Sequence, residues 1–238
     1  MADRLFLAGA AGAIGRALIP LLQADGWHVA GTTRTAERAA QLAALGIEPV
    51  VVDVFDAGAL TRAVAAARPR VVVHQLTDLP PALDPARMAD ALVRNARIRD
   101  EGTRNLVAAA VAGGAQRLVA QSVAFAYAPG PQPWREGDPL NLTASGNAGV
   151  TVRGVASLES QILAAPMPGL VLRYGRFYGP GTGFDAPTGP GSIHVSAAAA
   201  ATRRALTRGA PGLYNIAEDD GMVDVTRARV ELGWSPVG

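Results

Sequence analysis

Three glycines carry the first chemical signal. The segment GAAGAIG sets Gly9, Gly12 and Gly15 three residues apart, after a short apolar run and before an amphipathic one. Each glycine has a task at a strand-to-helix turn. Gly9 allows a tight turn off the strand. Gly12 lacks a Cβ, so a pyrophosphate can reach the backbone, and Gly15 lets the helix pack closely on the sheet. The surrounding Ala11, Ala13 and Ile14 begin that helix, whose free N–H groups suit phosphate oxygens. A purely structural turn is the alternative. The segment GTTRTAER then closes the second apolar run without the Asp or Glu that would accept from a ribose 2′-hydroxyl. Arg34 stands there instead, with Arg38 behind it, and a guanidinium pairs bidentately with a 2′-phosphate. The expected cofactor is NADP(H), with NAD(H) as the alternative if Arg34 is a solvated loop residue. Asp53, followed by Val54 at the end of VVVDV, is placed to meet an adenine amino group or to cap the next helix.

These residues need a scaffold, and the rest of the first half supplies one. RLFLAG (4–9), WHVAGTTR (27–34), EPVVVDV (48–54), RVVVHQL (70–76) and RLVAQS (117–122) read as buried strands. Helical spacing follows each: 14–26, a segment opening at the cap residue Thr35, 57–67, and one long helix from Met88 to Ala112. Pro20 is expected to disturb the first of these. Continuous apolar strands alternating with helices predict an α/β Rossmann-type, doubly wound parallel sheet covered on both faces. Residues 1–165 form its cofactor-binding core. Residues 166–238 add the remaining strands and a small substrate-binding portion of the same domain.

Composition excludes several chemistries. The 238 residues contain no cysteine and no lysine, since all 22 basic residues are arginine. Disulfides, thiol catalysis, thiolate metal sites and Schiff-base chemistry are therefore absent. The net charge is only +2 and the arginines are scattered, so no nucleic-acid partner is expected. No apolar run is long enough for a membrane span, and the start lacks a signal peptide's basic and apolar regions, so the expectation is a cytoplasmic protein. His28 and His194 are isolated, and no metal is expected.

The motifs together resemble the extended and atypical short-chain dehydrogenase/reductases, the epimerase/dehydratase group. LAGAAGAIG is similar to that family's TGxxGxxG, VVVHQLT to its VIHLAA strand, and EGTRNLVAAA to its GTxNLLEAA helix. RLVAQSVAFAY is similar to FVxxSSxxVY, VLRYGRFYGPGT to LRxxNVYGPG, and ELGWSP to LGWxP. The resemblance runs in order through nearly the whole chain. It implies that Gln75, Leu76 and Thr77 lie beside the cofactor's ribose, and that Gln121 and Ser122 lie near the nicotinamide. Tyr174, Gly175, Arg176 and Phe177 should wrap the nicotinamide end, or else form an ordinary turn with packed aromatics. It also implies packing through His74, a structural role for Tyr127, and a dimer through the helices near 88–112 and 151–165.

The same alignment empties the family's active site. Reductases of this group use Ser, Tyr and Lys: a proton donor, a cation that lowers its pKa, and a hydroxyl that orients the carbonyl. With Glu159 in register, those positions are Val123, Thr151 and Val155. Ser122, one residue early on a strand, should face the other way. The helix keeps its apolar stripe at Val152, Val155, Leu158 and Ile162. Leu79, Pro80, Pro81 and Trp134 form an apolar substrate wall or merely cover the core. Two junctions, 185–193 and 220–222, run shorter than in similar proteins.

The leading expectation is an NADPH-dependent ketoreductase for a bulky, aromatic polyketide-like ketone. Its proton would come from water or from the substrate's own neighbouring hydroxyl. A non-catalytic NADP(H) sensor and a sugar-nucleotide epimerase or dehydratase are the alternatives.

Overall fold

The expected strands and helices are present, with shifted ends. A computed structural model describes residues 3–80 and 83–236; Pro81 lies outside them. The strands are β1 (Arg4–Ala8), β2 (His28–Thr33), β3 (Glu48–Val51), β4 (Val71–His74) and β5 (Arg117–Val123), then β6 (Gly169–Tyr174), β7 (Arg176–Tyr178), β8 (Ser192–His194) and β9 (Gly212–Ile216). Seven of them form one parallel sheet in the order β3-β2-β1-β4-β5-β6-β9. Leu5, Leu7, Val71, Val73, Leu170 and Leu172 face one layer, while Phe6, Ala8, Val72, Leu118 and Ala120 face the other. In the inner strands neither parity meets water, which is why they read as unbroken apolar runs; β3, expected to be buried, is instead a largely exposed edge strand, with Val51 57% exposed.

Helices α1 (Ala13–Ala24), α2 (Ala36–Ala44) and α7 (Val195–Ala205) cover the first layer. The second is covered by α3 (Ala57–Ala67), α5 (Thr103–Ala112) and α6 (Gly146–Leu163). Pro20 does not break α1, contrary to expectation. It lies on the exposed side, where the Arg16 carbonyl that loses its donor is open to water. The single helix expected from Met88 to Ala112 is also corrected. It is α4 (Pro85–Arg97), a π-turn over Ile98–Gly102, and α5. The true start is a capped proline turn, in which the Asp84 carboxylate accepts the Ala86 N–H at 3.0 Å. Beyond the π-turn, Thr103 faces His74.

The junctions 185–193 and 220–222 meet each other. Gly191 N–H donates to Asp220 Oδ2 at 2.6 Å, and the Met222 carbonyl accepts from Trp134 N–H at 3.0 Å. There β7 and β8 pair as a second, two-stranded sheet. Among the described residues no helix is long and apolar enough to cross a membrane. Sheet order reverses between β1 and β4, so the ligand crevice of such a fold lies outside their carboxyl ends.

Candidate functional site

The glycine turn sits at that crevice, and its three glycines differ. Gly9 has φ +93°, and a Cβ there would come 2.4 Å from the Gln75 carbonyl at the end of β4. A Cβ on Gly15 would strike the Ala10 carbonyl at 2.5 Å. At Gly12 a Cβ would meet only the Gly9 carbonyl, at 3.4 Å. The turn is thus closed by protein on two sides and open at Gly12. Helices α2, α3, α4 and α7 begin with a side-chain cap, but α1 begins at Gly12 with none and has no acid in its first turn. Uncapped N–H groups facing an open glycine are what a pyrophosphate needs, so these residues fit a dinucleotide.

The adenosine end is built from charge. Arg34 follows β2, and its Nη2 donates to Asp78 Oδ1 at 3.2 Å; Arg94 Nε from α4 donates to Asp78 Oδ2 at 3.0 Å. Burial opposes the Asp78 charge, but the two guanidiniums hold its carboxyl below the usual range. Arg38 is exposed, and its backbone N–H completes the Thr35 cap at 3.3 Å. Asp53 does not cap α3; Asp56 does. Asp53 Oδ1 accepts the Phe55 N–H at 2.9 Å, which leaves this exposed carboxylate at the rim beside buried Val54. Asp78 and Arg94 had no sequence signal, because a loop aspartate and a helix-face arginine look like ordinary surface residues.

At the other end, β4 and β5 present mostly buried side chains. His74 is 1% exposed; its Nδ1 accepts the Leu76 N–H at 3.3 Å, so Nε2 donates to Thr103 Oγ1 at 3.0 Å. Burial, and the charge of nearby Arg99, lower its pKa to about 4. Gln75 is buried, and among the described residues its amide has no hydrogen-bond partner. Leu76, Thr77 and Gln121 remain partly open at the sheet edge. Ser122 departs from expectation. Its hydroxyl reaches α6 and donates to Glu159 Oε1 at 2.7 Å. Val123, next along, packs against Val152 and Val155 of the same helix. Ser122 shares the parity of Leu118 and Ala120, which face the layer that α6 covers; Val123 is the residue that leaves the alternation, at the last position of β5.

Below the valines lies a buried ion pair. Arg173 donates to Glu159 twice, Nε to Oε1 at 2.8 Å and Nη2 to Oε2 at 2.6 Å. The Arg173 guanidinium sits over the Tyr127 ring, and the Tyr127 hydroxyl donates to Asn215 Oδ1 at 2.6 Å. Tyr174 is core, not cofactor wall: it is fully buried and bonded to Thr202. Gly175 is buried, since a Cβ there would hit the Gly191 carbonyl at 2.1 Å. Phe177 packs on Tyr174, while Arg176 is exposed and lies over Phe125. Trp134 stacks on Tyr127 and packs against the core, Pro80 is buried, and Leu79 is open. Phe125, 41% exposed on the turn after β5, is an apolar face that pattern reading missed, because a lone aromatic in a turn has no periodicity.

No tyrosine replaces the missing acid. Burial raises Tyr127, and it pushes Tyr174 and Tyr214 up to about 12. The Glu218 carboxylate raises Tyr178. All four tyrosines are moved away from the range in which a phenol serves as a general acid. Val123, Val152 and Val155 instead form an apolar cluster with Ala126, against which Leu140 packs. Thr151, next to Val152 in α6, is half-buried.

Comparison with known proteins agrees with this geometry. Residues 9–149 match a family described as NAD(P)H-binding. A 3-diazoavenalumate denitrifying reductase from a Streptomyces species is 43% identical over 230 residues, spanning 96% of this chain and 72% of the relative. The Thermotoga maritima UDP-glucose 4-epimerase bound to UDP-glucose shares the fold at a TM-score of 0.79 and 17% identity, over 98% of this chain and 94% of that one. The Bordetella bronchiseptica enzyme WbmG, in complex with NAD and UDP, matches at 0.78 and 20%, over 99% and 89%. The chain belongs to the NAD(P)H-binding family and is related in sequence to a reductase.

Proposed function

We propose that the protein is an NADPH-dependent reductase of an electrophilic aromatic substrate whose reduction needs no proton from a side chain, a diazo compound foremost. The bound cofactor supplies a hydride. Glycines 9, 12 and 15 and the α1 N-terminus hold its pyrophosphate, and Arg34 its 2′-phosphate, which favours NADP(H) over NAD(H).

The observation that carries this reading is the valine cluster. Val123, Val152 and Val155 pack together with Ala126, backed by Leu140, where the family resemblance would place a proton donor and its cation. Ketone reduction leaves negative charge on oxygen, and each absent donor to such an oxyanion costs about 2.7–4 kcal/mol. Reduction of an aryldiazonium runs the other way. A C–H bond forms, and the C–N bond breaks with its electron pair leaving on N2. Aryl cation-equivalent plus hydride gives arene plus nitrogen, with no proton consumed. Positive charge is neutralised as the reaction proceeds, so a water-poor apolar wall assists rather than hinders. The product N2 is itself apolar. The name of the Streptomyces relative, a denitrifying reductase of a diazo compound, supports the same chemistry. Exposed Phe125 beneath Arg176 offers a stacking face for the aryl group and a cation for an acidic substituent.

A second reading keeps the ketone. Thr151 is the one hydroxyl at the triad positions, and an ortho-hydroxyl on the substrate would stabilise the oxyanion internally. Triad-lacking ketoreductases that tailor aromatic polyketides, such as the simocyclinone 7-ketoreductase, are similar in this respect.

Cofactor deuterated at C4 decides between the readings. With an ortho-hydroxy aryldiazonium, N2 release should match NADPH oxidation, and deuterium should enter the ring from the cofactor but not from D2O. Turnover of ortho-hydroxy aryl ketones alone, with loss of rate on methylating that hydroxyl, would replace the diazo reading by the ketone one. No oxidation of NADPH with either class would remove both.

A further inference from the structure

Asp78 is the residue around which the adenosine end is organised, although no cofactor chemistry calls for a carboxylate there. Its backbone N–H donates to the Asn95 side-chain carbonyl at 3.2 Å, and Asn95 is 1% exposed. A buried amide therefore fixes where Asp78 stands. Its two carboxylate oxygens are divided between two elements, Oδ1 to Arg34 at 3.2 Å and Oδ2 to Arg94 at 3.0 Å. Strand order puts β1 between β2 and β4, so Arg34, after β2, reaches Asp78, after β4, across the strand that carries the glycine turn. The bridge crosses the groove rather than lining one wall of it. Two guanidiniums share one carboxylate, which leaves one positive charge in excess. Arg34 is the better placed to move, with its side chain 53% exposed and its single bond the longer.

We propose that Asp78 and Arg94 act as a charge-exchange latch for NADP(H): the 2′-phosphate takes Arg34 from Asp78, and Arg94 stays on the carboxylate and keeps its charge matched. This rests on Arg34 being the 2′-phosphate residue. NAD(H) offers no anion at that point, so Arg34 stays on Asp78 and nothing is exchanged. Arg94 is then a specificity-determining residue that never touches the phosphate. Removing it leaves Asp78 with Arg34 alone, and the carboxylate competes harder for the arginine the phosphate needs. Removing the carboxylate as well abolishes the competition.

Isothermal titration of NADP+ and NAD+ into the wild type, Arg94→Met, Asp78→Asn and the double variant tests this, with matching melting curves confirming the fold. Arg94→Met should weaken NADP+ about fivefold, the scale of one exposed ion pair, and leave NAD+ within about twofold. The double variant should bring NADP+ back to within about twofold of wild type. A double variant as weak as Arg94→Met would overturn the latch, because Arg94 would then contact the phosphate itself or merely hold the fold. Equal losses for both cofactors would overturn it too. If Arg34→Ala leaves NADP+ binding intact, the underlying reading of Arg34 fails, a result separable from failure of rescue alone.

Discussion

The two ends of the groove treat polar groups in opposite ways. The adenosine end is a set of exposed or half-exposed charges held by one another: Arg34, Asp78 and Arg94, with Asp53 at the rim. The nicotinamide end buries its charges as Glu159 and Arg173 and puts valines above them. The difference shows that the missing triad is not a hole. Val123 and Val155 are 5% and 0% exposed, and each contributes the roughly 1.5–3 kcal/mol of a buried aliphatic side chain. Helix α6 is therefore intact as a packing element, with Val152, Val155, Leu158 and Ile162 all buried. Groups that recognise a cofactor can be kept apart from groups that move a proton, because they lie at different strand ends.

The sharpest break in this comparison is at the buried pair. Arg173→Met would leave the Glu159 carboxylate buried with only Ser122 as donor. It should lower the unfolding free energy by about 3–5 kcal/mol in urea titration. Arg173→Met with Glu159→Leu should recover only part of that loss, since the buried Glu159 charge is gone but buried Arg99 then lacks the carboxylate that favours its charge. A loss below about 1 kcal/mol in the single variant would show that water reaches Glu159 and that this end is not dry.

Acid should act next, through His74. Its folded pKa is about 4 against 6.5 unfolded, so between these values the unfolded chain binds the extra proton. Stability from neutral His74 is therefore complete above pH 6.5 and lost as pH falls toward 4, on the order of 3 kcal/mol in all. The stability gap between wild type and His74→Gln should narrow by that amount from pH 7.5 to pH 4. A constant gap would place the imidazole in contact with solvent. At the adenosine end, Arg34→Ala should weaken NADPH by about 1–3 kcal/mol and leave NADH nearly unchanged, read by fluorescence titration.

The layered architecture was legible because burial on both faces writes itself into the chain as apolar runs such as VVVHQL, and because glycine spacing reports close approach directly. Where readings failed, the cause was tertiary. Pro20 was harmless only because Arg16 faces water, and the π-turn at 98–102 lies in a charged run with no period of its own. Ser122 met α6 because it shares the parity of Leu118 and Ala120, and which layer that parity faces is set by the helices packed on it. The glycine turn was legible because close approach is a question of residue type, as the contacts at Gly9 and Gly15 show. Asp78, Arg94 and Phe125 were not, since their meaning depends on which loops the sheet order brings together.

The smallest effect expected is at Thr151, and its smallness is the point. It holds the position of the family's acid, next to Val152 in α6, and it is the only hydroxyl among the three triad positions. If it donated a proton in the rate-limiting step, Thr151→Val would cost at least the ~10²-fold typical of losing a general acid. If the reaction neutralises a cation and releases N2, no proton is in flight, and valine extends a wall that is already apolar. The rate of NADPH oxidation should then change by less than about threefold, and exchange of H2O for D2O should leave it unchanged. The substitution keeps shape and β-branching, so α6 should hold its place against Val123. A hundredfold loss together with a solvent isotope effect would restore proton transfer to this end of the groove and erase the contrast between the two ends.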